Sequence, residues 1–250
     1  MVAALGLSTA ASASLVFSGG IPASWTCTGN CGTLGADGVV TLAPGSTTDY
    51  GWVSTAGGAS GAGQLPGIGG TNGTTLTSNV FSANAGDLLD FYFNYVTSDG
   101  AGYADYAWAQ LVDASSNVVI LFTARTMPSG SIVPGTGLPP PNATLIPPSV
   151  PIIPGGPSWS PLDGSSGACW STGCGYTDWV ESQYTIATAG NYTLQFGVTN
   201  WADTLYDSGM AFDGITVGGN PITPAPEPTS LALLGIGLAG LRATARRRRV

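Results

Sequence analysis

Short runs in which apolar and polar residues alternate recur along most of this chain, separated by clusters of glycine, serine, threonine, asparagine and proline. In Asp90-Phe91-Tyr92-Phe93-Asn94-Tyr95-Val96 the rings of Phe91, Phe93 and Tyr95 fall on one face, since successive side chains of a strand point to opposite sides. Short runs rich in β-branched and aromatic residues, several of them alternating in the same way, predict strands at 15–17, 39–43, 50–54, 75–82, 88–97, 103–112, 118–124, 180–187, 192–199 and 211–217. Ala189-Gly190-Asn191 and Asp99-Gly100 read as tight turns between strands. No stretch of the body repeats at the helical period. The pattern predicts an all-β fold, a two-sheet β-sandwich of jelly-roll type.

Two segments interrupt the strand rhythm. Residues 56–73 form a glycine-rich loop, and 11 of the 34 residues from 128 to 161 are proline. Proline fixes φ and removes a donor, so the second stretch excludes helix and central strand. It reads as a long extended excursion from one sandwich spanning 14–223; a linker between two small domains is the alternative.

Charge divides the chain further. There is no lysine and no histidine, and five of the six arginines, Arg242, Arg246, Arg247, Arg248 and Arg249, lie in the last nine residues. The overall charge of −8 therefore averages a basic tail with an acidic body. Residues 14–225 hold thirteen carboxylates against Arg125 alone, a net −12. Without histidine, the usual general base, the common nucleophile triads and histidine metal sites are excluded. An acidic body repels phosphates, which argues against nucleic acid as a partner.

The two ends carry targeting patterns. Residues 1–13 are apolar and uncharged and close on Ala11-Ser12-Ala13, the small-x-small pattern of signal cleavage; they read as a partial secretory signal peptide. At the other end Pro226-Glu227-Pro228 precedes an uncharged stretch, 229–241, and then the arginines. Thirteen helical residues span about 20 Å, short of a bilayer core near 30 Å. Extension to Ala245 with Arg242 snorkelling narrows the gap, predicting a short C-terminal transmembrane helix with its arginines on the cytoplasmic face.

Proline-glutamate-proline, short apolar helix and terminal arginine run, in that order over 224–250, resemble the PEP-CTERM sorting signal. The resemblance implies an export of a Gram-negative bacterium processed by exosortase, a membrane-embedded transpeptidase. Pro226, Glu227 and Pro228 would be what that enzyme reads, while the helix and arginines hold the substrate transiently in the inner membrane. It further implies a final place at the cell surface or in the extracellular matrix, with exopolysaccharide as the natural partner.

In an exported protein the four cysteines, Cys27 and Cys31, Cys169 and Cys174, read first as two local disulfides, since the periplasm is oxidising. A four-cysteine zinc site and pairing across the two segments remain alternatives. The aspartates gather at Asp99 and Asp105, then at Asp203 and Asp207, followed by Asp213. Loop carboxylates of this kind suit Ca²⁺, which takes six to eight oxygen ligands; they also suit turns and a solubilising surface.

The segment Ser18 to Asn30, with its Trp25-Thr26 pair, and the last strand, Ala211-Phe212-Asp213-Gly214-Ile215-Thr216-Val217, resemble the ends of galactose-binding-like jelly rolls. The body also resembles the uncharacterised jelly-roll domains that precede exosortase signals. Many galactose-binding-like domains are carbohydrate-binding modules, and their final-strand aspartate, here Asp213, commonly serves a structural calcium. The Phe-Glu that shares that ion is missing from the first element here.

Among seven tryptophans and nine tyrosines, Trp52, Tyr103, Tyr106 and Trp108 lie near polar loops and are candidate sugar-stacking platforms. Glycoside hydrolysis needs two carboxylates in defined geometry, for which Asp99 with Asp105 or Asp203 with Asp207 are the available pairs. No serine–histidine pair, cysteine–histidine pair or phosphate-cradling loop accompanies them. The expectation is a non-enzymatic matrix component, structural or exopolysaccharide-associated. A calcium-dependent carbohydrate-binding or adhesion module is the nearest rival, and an aspartate-based glycan hydrolase the more distant one.

Overall fold

A computed structural model describes residues 16–222. The signal segment, Pro226, Glu227 and Pro228, the C-terminal helix and the arginine run all lie outside the described residues. Within them the main strands are β1 (Thr26–Thr28), β2 (Asn30–Leu34), β3 (Tyr50–Ser54), β4 (Asn72–Thr77), β5 (Phe81–Ala83), β6 (Leu88–Thr97), β7 (Tyr106–Asp113), β8 (Val118–Arg125), β9 (Thr144–Ile146), β10 (Val180–Thr185), β11 (Gly190–Thr199) and β12 (Ser208–Val217). They pair antiparallel in two sheets. One runs β1-β4-β11-β7-β8, with β5 beside β11; the other runs β9-β10-β6-β12-β3-β2. Successive strands cross repeatedly from one sheet to the other, the wiring of a jelly-roll sandwich. Each sheet takes strands from both sides of the proline-rich stretch.

Alternation in β6 and its neighbours builds the interior. Phe91 and Phe93 point inward from β6, Phe212 from β12, and they meet Phe122 of β8 and Phe196 of β11 on the facing sheet. Phe93 stacks on Phe122 at 3.7 Å, Phe196 on Phe212 at 3.9 Å, and Phe91 meets Phe196 edge-on at 5.5 Å. These rings join the sheets where backbone hydrogen bonds cannot reach. Gly51 makes room: a Cβ there would lie 2.6 Å from the ring of Phe212.

The glycine-rich loop of residues 56–73 covers the outer face of the first sheet. Trp108 Nε1 donates to the Gly63 carbonyl at 2.7 Å, and the Tyr106 hydroxyl donates to Gly69 at 2.7 Å while accepting from Leu65 N at 3.0 Å. Gly63 has φ +74°, and a Cβ would strike the Val198 carbonyl, so this close approach requires glycine. The proline-rich stretch holds only short, peripheral pairings: Ser131–Val133 with Val150–Pro151, β9 at the edge of the second sheet, and Ile153–Pro154 with Gly175–Tyr176. Ile132 and Val133 turn into the core.

Several strand expectations shift. Tyr50–Ser54 and Leu88–Thr97 fall where the pattern places them. Val16 and Phe17 form a turn rather than a strand, with Phe17 wedged between Trp25 and Phe212. The segment 39–43 keeps only a bridge between Asp37 and Val40. Its apolar residues anchor a loop in a second cluster with Tyr50, Trp159 and Leu162 on the outer face. The run 75–82 is interrupted between β4 and β5, where Ser78 exchanges bonds with Leu194. Strands β1 and β2 have no apolar alternation to announce them. Backbone pairing and the Cys27–Cys31 disulfide hold that turn.

The inter-sheet stack sets a stability prediction. Phe196→Ala should cost about 3–5 kcal/mol in urea unfolding, as large-to-small core changes do. A loss under about 1 kcal/mol would mean that these rings do not couple the sheets.

Candidate functional site

Three loops converge at one end of the sandwich: residues 98–105 between β6 and β7, residues 169–174 ahead of β10, and residues 200–207 between β11 and β12. Their anchor is Asp105, 1% exposed, immediately before β7. Its Oδ2 accepts from the Ser208 hydroxyl at 2.7 Å and its Oδ1 from Trp201 N at 2.9 Å. Its backbone carbonyl accepts from the Tyr95 hydroxyl at 3.0 Å. The hydroxyls of Thr97 and Thr126 extend this buried network. Tyr95, Thr97 and Ser208 belong to paired strands, so a rigid core dictates where each loop begins.

Above this anchor Asp99, Tyr103, Trp170, Asp203, Leu205 and Tyr206 line a cavity of about 70 Å³. Trp170 meets Tyr103 edge-on at 6.1 Å and Tyr206 at 5.1 Å, inclined by 46°. The disulfide Cys169–Cys174 brackets Trp170, and Trp170 N donates to the Ser98 carbonyl at 3.0 Å. The opposing loop comes so close that a Cβ on Gly100 would lie 2.5 Å from Ser171. Tyr206 adopts a left-handed φ of +56°, uncommon for a bulky residue. Trp170 is 50% and Leu205 62% exposed, so the rim is open.

Asp99 is 1% exposed; its Oδ1 accepts from Gly100 N at 2.7 Å, and its Oδ2 is buried without a hydrogen-bond partner. Asp203 Oδ1 accepts from Leu205 N at 2.9 Å. Arg125, the one cation among the described residues, is occupied elsewhere. Its guanidinium lies 4.8 Å from the Trp201 ring centroid and donates to the carbonyls of Ala104 and Thr136.

The structure disperses the other candidates. Tyr103 lines the loop-end cavity, whereas Tyr106 and Trp108 are buried against the glycine-rich loop, which removes them as sugar platforms. Trp52 lines a separate cavity of about 350 Å³ with Asn30, Thr33, Pro161 and Asp163. Asp207 is engaged by the hydroxyls of Thr55 and Ser165, and Asp213 is buried on β12 close to Ser46. Neither carboxylate pair drawn from the sequence presents two free groups, since Asp105 and Asp207 each have both oxygens hydrogen-bonded. Among the described residues no three histidine, cysteine, aspartate or glutamate side chains gather as metal ligands. The structure does not bring the five aspartates together: Asp99 and Asp203 line the loop-end cavity, Asp105 and Asp207 are taken up by hydrogen bonds, and Asp213 lies buried on β12. All four cysteines are in local disulfides. Trp170 and Tyr206 join the cavity without having been candidates; their signal in the sequence is a tryptophan beside Cys169 and a tyrosine within the Asp203–Asp207 cluster.

Several carboxyls are held above their ordinary value. Burial raises Asp99 to about 6, opposed by the Gly100 N–H and reinforced by Asp203. Burial and then Glu181, across the β6–β10 pairing, raise Asp90 to about 6. Asp105 is pushed well above its ordinary value by burial and then by Asp99. Each binds its proton more tightly folded than unfolded. The stabilisation is thus complete below the unfolded value of 3.8 and, for Asp90 and Asp99, lost as pH rises through about 6. Thermal melts should show a midpoint falling from pH 4 to pH 7, with a shallower slope in Asp90→Asn and Asp99→Asn. A midpoint that rises over this range would contradict the assignment.

Comparison with known proteins adds two findings, and a comparison with curated proteins gives no match. Among solved structures, the chain is similar to the K3 cleaved adhesin domain of Lys-gingipain from Porphyromonas gingivalis W83, at 14% identity and a TM-score of 0.40, over 82% of this chain and 95% of that one. It is also similar to the C-terminal family 22 carbohydrate-binding module of Clostridium thermocellum Xyn10B, at 14% identity and a TM-score of 0.34, over 80% and 90%. Residues 224–249 match the model of the PEP-CTERM protein-sorting motif. The chain thus carries the PEP-CTERM sorting motif, the mark of an exported protein processed by exosortase.

Proposed function

We propose that this protein is an exopolysaccharide-associated component of the extracellular matrix of a Gram-negative bacterium, and that it holds glycan at the loop-end cavity. The observation that carries the reading is the aromatic rim itself. Trp170, Tyr103 and Tyr206 surround a small cavity on loops fixed by a disulfide and a buried carboxyl. An indole half open to solvent offers the flat apolar face that suits the C–H face of a pyranose. Preorganised loops lose little conformational entropy on binding.

The acidic body fits a secreted, soluble surface, and the sorting motif supplies the route. In this reading the C-terminal segment anchors the chain in the inner membrane until exosortase releases it to the cell surface.

Affinity electrophoresis of the full chain through gels containing the host's exopolysaccharide tests the binding. Retardation is expected, with Trp170→Ala and Tyr206→Ala each weakening it about tenfold, the scale of an aromatic anchor in a binding site. Trp52→Ala should leave it unchanged. Equal retardation of all the variants would place the glycan elsewhere, and no retardation would remove the reading. Replacing Pro226, Glu227 and Pro228 by alanine should leave the chain in the inner-membrane fraction; normal release would contradict the proposed route.

A further inference from the structure

We propose that the loop-end cavity takes an ammonium group, so that the glycan held there carries amino sugars with free amines. This rests on the glycan-holding reading of the same site and adds the chemical class of its ligand. Size comes first. Pockets that enclose a whole small ligand run to about 300 Å³ or more, and this cavity is about 70 Å³, a seat for one substituent of a sugar. The ring must lie outside, against the exposed Trp170 and Leu205, with a single substituent reaching inward.

The lining then selects that substituent. Trp170, Tyr103 and Tyr206 bring three π systems to the cavity, and the faces of such rings attract cations. Two carboxyl groups, Asp99 and Asp203, complete the wall. Asp99 is almost fully buried and no protein group hydrogen-bonds its Oδ2, a costly state for a carboxylate. With its carboxyl titrating near 6, that group is charged at neutral pH. Arg125, the one cation among the described residues, is stacked on Trp201 and bonded to backbone carbonyls.

A carboxylate, sulfate or phosphate on the ligand would meet two like charges here. A neutral hydroxyl could satisfy the Asp99 oxygen and would leave the charges of Asp99 and Asp203 uncompensated. An ammonium donates to that oxygen, offsets both carboxylates and faces the rings. N-acetylation removes this charge.

Isothermal titration of the full chain at pH 7 with a short glucosamine oligomer and its fully N-acetylated counterpart tests the proposal. The free amine should bind at least about tenfold more tightly, the scale of a desolvated cation–π contact. Methylammonium chloride should compete, where potassium chloride of equal ionic strength does not. Asp99→Asn and Trp170→Ala should each remove the preference; a thermal midpoint no lower than wild type in the first variant shows that it still folds. Equal affinity for the two oligomers would overturn the ammonium assignment and leave the glycan reading standing. Binding of neither would overturn the ammonium assignment, and retardation by the host's exopolysaccharide decides the glycan reading separately. A preference that survives in both variants would mean attraction to the acidic surface at large, which also overturns the proposal.

Discussion

The buried carboxyl of Asp105 is the constraint on which the functional end of this protein depends. A carboxyl withdrawn from water must find donors, and here the donors sit on different elements: Ser208 at the start of β12 and Trp201 in the loop before it. The hydroxyls of Tyr95, Thr97 and Thr126 close the network from β6 and from the residue after β8. Satisfying this one group fixes the origins of two of the three loops that bear Tyr103, Asp203 and Tyr206. The third, carrying Trp170, is held by its disulfide and by a backbone bond to Ser98. The phenylalanine stack between the sheets supplies the packed base on which this network sits.

Much of the architecture was legible because it follows from a period of two. The runs around Phe91 and Phe196 alternate, those around Phe122 and Phe212 are short apolar runs, and each is a strand whose rings meet in the core. What alternation could not show was pairing driven by backbone alone, as in Thr26–Thr28 and Asn30–Leu34. Nor could it distinguish an apolar run that anchors a loop, as at Val40 and Ala43, from one that forms a strand.

The site was half legible for a related reason. Composition located the acidic loops, and Tyr103 lay within one of them. Tyr106 and Trp108 differ from Tyr103 by a few positions, yet they begin a strand whose outer face is roofed by a glycine-rich loop. Only the fold of a segment some forty residues earlier decides their burial. The aspartates divided in the same way: Asp105 and Asp207 serve the framework, whereas Asp99 and Asp203 face the cavity. The scarcity of cations in the body gains meaning from this division. With Arg125 engaged on Trp201, the wall of the cavity is acidic and aromatic.

The most direct test of the account is hydrogen–deuterium exchange of the full chain with and without a glucosamine oligomer. Protection should appear together in residues 98–105, 169–174 and 200–207, the three loops assembled around Asp105, with residues 30–34 and 52–57 at the Trp52 cavity unchanged. Protection confined to the Trp52 cavity, or spread evenly over the acidic surface, would contradict it.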